Sequence, residues 1–71
     1  MIGTIGRVTG TIEPGAVGEV MLPFDGGTSA FHAFAVDGTS TFAVGAKVLV
    51  VDFQPPQAVY VDQLPDFLSA G

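Results

Sequence analysis

Apolar and polar residues in this chain alternate in short bursts, separated by turns that carry glycine or proline. A period of two places successive side chains on opposite faces of a strand. The densest burst is Val48-Leu49-Val50-Val51, and three of its four residues are valine, which favours strand over helix. A strand with no polar face is expected to be buried on both sides, or to sit where a barrel wraps over itself. Residues 46–53 are therefore expected to form the central strand against which the others close. Gly45, just ahead of it, suits a sharp entry because glycine takes backbone angles that other residues avoid.

Four further strands follow from the same pattern. Residues 2–12 form a glycine-broken first strand, with Val8 and Ile12 on one face and Ile5, Arg7 and Thr9 on the other. Glycines weaken a strand but permit the coiling that a small barrel needs. Glu13-Pro14-Gly15 turns the chain into a second strand at 16–24, with Val20 and Leu22 sharing a face. Asp25-Gly26-Gly27 is a hairpin signal. It leads to a third strand at 29–36, where Phe31, Ala33 and Ala35 share one face and His32, Phe34 and Val36 the other. After the Asp37-Gly38 turn, residues 40–44 connect to the central strand. Beyond it, Gln54-Pro55-Pro56-Gln57 is a stiff loop whose prolines cannot join a ladder. The fifth strand covers 58–62, with Val59 and Val61 inward and Tyr60 and Asp62 outward. Residues 64–68 suggest a short helical turn or a tail.

Five strands at this spacing predict an all-β fold, a small five-stranded OB-like barrel. Closure removes sheet edges that would otherwise aggregate in so apolar a chain. The expected core is Val8, Val20, Leu22, Val48, Val50, Val59 and Val61. With no internal repeat and no linker, residues 1–71 read as one domain, its core at about 3–62 and a tail at 63–71.

Composition narrows the function classes. Hydrophobic residues make up 48% of the chain and charged residues 13%, so apolar surface is expected to stay exposed on so small a body. Arg7 and Lys47 are the only fixed cations, and the net charge is −5. Polyanion binding draws on lysine and arginine, so neither nucleic acid nor anionic lipid is an expected partner. The chain has no cysteine, hence no disulfide and no thiolate chemistry. No apolar run approaches the ~18 residues of a membrane span.

Catalytic chemistry finds little to work with. His32 is the only histidine, whereas a metal site needs three or four ligands. Ser29, Ser40 and Ser69 lie outside any Gly-x-Ser-x-Gly elbow. The carboxylates are scattered over turns and strand ends, and Gly3, Gly6 and Gly10 have the wrong spacing for a dinucleotide fingerprint. Lys47 starts a strand rather than occupying the hairpin tip where a biotin- or lipoyl-carrying lysine sits. The expectation is a non-enzyme without cofactor or metal.

Three pieces together resemble the C-terminal soluble domain of the NfeD family of membrane proteins. They are Gly3-x-x-Gly6-x-Val8 with Ile12-x-Pro14-Gly15 and Gly18-x-Val20; Ala33 and Ala35 followed by Phe42-x-x-Gly45-x-x-Val48-x-Val50-Val51; and Ala58-Val59-Tyr60-Val61-Asp62. The resemblance implies an OB-like barrel beside membrane helices, working with stomatin- or flotillin-type membrane scaffold proteins. It implies membrane association as part of a longer protein, with this domain on the cytoplasmic side. The serine-protease motifs of longer family members are absent from this sequence.

Two functional expectations follow. The first is a non-catalytic protein-interaction domain, with self-association as a further mode. The second is an oligonucleotide- or small-ligand-binding OB domain, which needs cations beside aromatics on one sheet face. For the first, the expected docking residues are Phe53, Pro55, Pro56 and Tyr60 around the stiff loop, with Phe31 and Phe34 on the third strand. Aromatics with few charged neighbours have the composition of interface cores.

Overall fold

The computed structural model describes residues 2–65. Five strands follow in order: β1 (Ile5–Gly10), β2 (Gly18–Phe24), β3 (Gly27–Ala35), β4 (Lys47–Gln54) and β5 (Ala58–Gln63). They close into a barrel in the order β1-β2-β3-β5-β4. All neighbours are antiparallel except β3 and β5, which run parallel. This is the expected all-β, OB-like barrel.

The closed ring changes the standing of β4. It pairs with β1 on one side and β5 on the other, as every strand here has two neighbours, so no strand is central. Nor is β4 buried on both faces. Val48 and Val50 are fully buried, whereas Leu49 and Val51 are only half-buried. A barrel has one interior, so an all-apolar strand in its wall must turn alternate side chains outward. The run of valines marks a greasy outer wall, not a second buried layer.

All seven expected core residues are buried, and the core also takes in Ile12, Phe31, Ala33 and Leu64. β1 is shorter than expected. Its ladder with β2 slips between Val8 and Gly10, and the chain beyond forms only an isolated bridge, Ile12 to Phe42. Ile12 is 1% exposed and Phe42 packs against the core, so this bridge plugs one end of the barrel. Leu64, placed in the tail by sequence, is buried; the rest of the suggested turn or tail lies outside the described residues.

Two glycines sit at close approaches, and at Gly18 neighbouring backbone atoms make the glycine a requirement. A Cβ on Gly18 would meet Ile12 at 2.4 Å and the Gly10 carbonyl at 3.0 Å; one on Gly6 would meet Leu22 at 2.4 Å. Between β2 and β3, Asp25 (φ 53°) and Gly26 (φ 82°) make a two-residue turn with both residues left-handed. That geometry matches the twist of the strands it joins.

Candidate functional site

The strand directions sort the loops into two ends. The start of β1, the β2–β3 turn and the β4–β5 turn share one end. The β1–β2 and β3–β4 connections share the other, where Ile12 and Phe42 meet. In the β3–β4 connection, Asp37 organises the turn. One carboxylate oxygen accepts the backbone N–H groups of Thr39 and Ser40, each at 2.9 Å, and the other accepts the Ser40 hydroxyl at 2.6 Å. The Ser40 hydroxyl, and then those two backbone donors, lower the Asp37 pKa from 3.8 to about 2.

The aromatic residues expected to form one docking surface divide between two faces. Strand β4 carries an extra residue opposite β5, between Val50 and Asp52. Past this bulge Phe53 packs against the core, its ring 6.4 Å from that of Phe31, edge to face. Phe31 is itself a core residue, 4% exposed, and carries the edge-to-face contact on to Phe24 at 5.8 Å. Phe31 is thereby taken out of any docking surface: Val20 lies opposite it on β2, and both side chains fill the interior. Tyr60 stands on the outer wall instead. Its register partner on β3 is Phe34, and the two half-buried rings lie 5.8 Å apart at a 37° tilt.

Thus Phe53 and Tyr60 flank the proline turn but face opposite ways. The turn, with Pro55 and Pro56 exposed, is tied to β3 by Gln57. Its side-chain amide donates to the Ala30 carbonyl at 2.9 Å, and its carbonyl accepts the His32 N–H at 3.0 Å.

The outer wall around Phe34 and Tyr60 includes apolar side chains from β3, β4 and the residue after β3, with exposed His32 two residues before Phe34 on the same face. Val36, next along the chain beyond β3, is 49% exposed, and Leu49 and Val51 are half-buried on β4. Asp52 lies opposite Tyr60 across the β4–β5 ladder, and Asp62 opposite Leu49, both exposed. The two cations lie elsewhere: Arg7 and Lys47 are direct partners across the β1–β4 ladder. Sequence reasoning missed Phe24, 53% exposed, and Ile2, 66% exposed. The signal for Phe24 was present, since it directly precedes the Asp25-Gly26 turn and so must stand at a hairpin tip.

Among the described residues no three His, Asp or Glu side chains gather as metal ligands would. No helix among them is long and apolar enough to cross a membrane.

Comparison with known proteins places this barrel. A family profile described as the NfeD C-terminal domain matches residues 5–62. Among solved structures, one similar chain is the soluble domain of a membrane protein implicated in regulation of membrane protease activity, from Corynebacterium glutamicum. It is 32% identical with a TM-score of 0.72, over 87% of this chain and 89% of that one. Another is the soluble domain of the NfeD protein YuaF from Bacillus subtilis, 30% identical with a TM-score of 0.71, over 86% of this chain and 70% of that one. Among curated proteins none matches. The profile runs from the start of β1 into β5, and this chain belongs to the NfeD C-terminal domain family.

Proposed function

We propose that this barrel is a non-catalytic protein-interaction domain of a membrane-associated protein. It docks on a membrane scaffold protein of the stomatin or flotillin kind, from the cytoplasmic side, and through it bears on membrane proteolysis. The observation that carries this reading is the pair Phe34–Tyr60. Two rings stack on the outside of a closed barrel, beside Val36, Leu49 and Val51, while the interior is already filled by other residues. Rings presented on a rigid ladder lose little side-chain freedom on docking, and buried aromatic anchors supply much of the energy of protein interfaces. The Corynebacterium protein's implication in regulation of membrane protease activity supports the proteolytic connection.

Phe34→Ser and Tyr60→Ser, singly and together, test this. Both rings face outward, so the variants are expected to stay folded by thermal melt. Capture of a stomatin-type partner should weaken at least about tenfold in the double variant, the loss typical of one interface anchor. Unchanged capture by a folded double variant would remove this wall from the interface.

A further inference from the structure

We infer that the barrel end carrying Ile2, Phe24 and the Pro55–Pro56 turn is a lipid-contacting surface, fitted to a zwitterionic bilayer with ammonium-bearing headgroups. This rests on the reading above, that the barrel works at a membrane, and adds which way round it sits.

The start of β1, the β2–β3 tip and the β4–β5 turn converge here, and the segment leading into β1 is tied to the wall at this end. The Gly3 N–H donates to the Val50 carbonyl at 2.8 Å, and the Val50 N–H donates to the Thr4 carbonyl at 2.9 Å. Among the described residues, Ile2 and Phe24 are exposed large apolar residues of this end, at 66% and 53%. Phe24 is held in place: its ring rests edge-on against Phe31, which rests on Phe53, and two left-handed residues fix the turn beyond it. A wedge already ordered in this way enters an interface with little entropic loss. Aromatic and aliphatic side chains presented together are the groups that settle at the headgroup–acyl boundary.

Charge selects the lipid. Among the described residues, the ionisable side chains at or next to this end are Asp25, at the hairpin tip, Asp52, near the end of β4, and His32, whose backbone N–H meets the β4–β5 turn; all three are exposed. Arg7 lies along the outer wall, and Lys47 opens β4 at the far end, where it pairs with Arg7. An anionic surface would therefore meet two carboxylates and neither lysine nor arginine among the described residues here. The ammonium groups of zwitterionic headgroups instead find two carboxylates and the faces of phenylalanine rings, which attract such cations. The opposite end also exposes large apolar residues, Val17 and Val44 at 62% each, but presents no exposed aromatic ring among the described residues, because Phe42 packs against the core.

The test uses this chain, labelled with nitrogen-15, and phosphatidylcholine–phosphatidylethanolamine vesicles doped with a headgroup spin label. Amide signals of Ile2, Phe24 to Gly27 and Phe53 should be attenuated at least about threefold more than those of Phe34, Thr39 and Tyr60, because relaxation falls steeply with distance from the membrane plane. Ile2→Ser and Phe24→Ser should each reduce that attenuation, and Phe34→Ser should leave it unchanged. Ile2 packs on nothing in the core, so its variant keeps the test readable even if the Phe24 variant loses stability. Attenuation spread evenly, centred on the wall or the far end, absent altogether, or requiring phosphatidylglycerol, would overturn the inference. Partner capture through Phe34 and Tyr60 does not use this end. Loss of lipid contact with capture intact therefore sinks only the orientation, and the reverse result sinks only the docking wall.

Discussion

Gly18 shows how much a single missing side chain decides in a molecule of this size. Its α-carbon lies where β2 leaves the β1–β2 connection, and an added Cβ would stand 2.9 Å from the Ile12 α-carbon and 3.0 Å from the Gly10 carbonyl. Those are backbone atoms, which a rotamer change cannot move. Gly18→Ala is therefore expected to cost about 1–3 kcal/mol, the range for overpacking a filled core. Gly6→Ala meets chiefly the end of the Leu22 side chain, which can turn away, so it should cost less. Urea unfolding of the two variants checks the order, and equal losses would contradict it. Asp37 gives the second residue-scale prediction. Its pKa is lowered to about 2 by the Ser40 hydroxyl and the Thr39 and Ser40 amides, so those bonds favour the folded state only while the carboxylate is charged. Their contribution is complete above the unfolded value, near pH 4, and fades as pH falls through about 2. A carbon-detected titration should place the Asp37 midpoint well below 3.8, and Ser40→Ala should move it upward. A midpoint at or above 3.8 would remove the turn's proposed anchor.

At the scale of elements, the β2–β3 hairpin was legible because its turn chemistry is local: Asp-Gly supplies the two left-handed positions the strands require. Gly26→Val should therefore destabilise the chain by about 1 kcal/mol or more, because a β-branched residue at positive φ is strained. A thermal melt that matches the parent would show the turn to be slack. Alternation gave the inward positions of β2 and β5, since burial of Val20, Leu22, Val59 and Val61 depends only on a period of two. The β4 bulge was not legible. One extra residue between Val50 and Asp52 resets the alternation, so Phe53 faces inward where the sequence suggested partnership with Tyr60. Nothing in Val50-Val51-Asp52 announces a bulge, because its cause is the register demanded by β5 across the ladder. The pairing of Phe34 with Tyr60 was hidden for a related reason. It depends on β3 and β5 lying parallel as neighbours, a contact across the closed ring that no local signal specifies. Residue type thus pointed to these rings, but the face each one takes was not legible in the sequence.

For the whole molecule, closure leaves the barrel without free edges, so recognition must use wall or ends. The OB architecture also admits an oligonucleotide-binding mode, and that mode has physical requirements this barrel can be measured against. Strands of nucleic acid are held by a cationic groove that tracks the phosphates while aromatic rings stack the bases. Here the rings and the cations are separated. Phe34 and Tyr60 belong to β3 and β5, while Arg7 and Lys47 oppose one another on β1 and β4, and acidic Asp52 on β4 and Asp62 on β5 stand beside the rings. A net charge of −5 adds repulsion at longer range. With at most two phosphates neutralised, the salt dependence of binding would be shallow, with a slope of about −1.4 for a single strand, and affinity at physiological salt negligible. Titration of fluorescent oligothymidine at low and physiological salt should show no saturable binding to the parent chain. Micromolar affinity with a steep slope would demand a cationic surface that these strands do not present, and would move the barrel into the oligonucleotide-binding class. A variant with Asp52→Lys and Asp62→Lys supplies the missing charge beside the stacked rings. If separation of charge from rings is what prevents binding, that variant should gain measurable affinity with a salt slope steeper than the parent's, and Tyr60→Ser in the same background should abolish the gain.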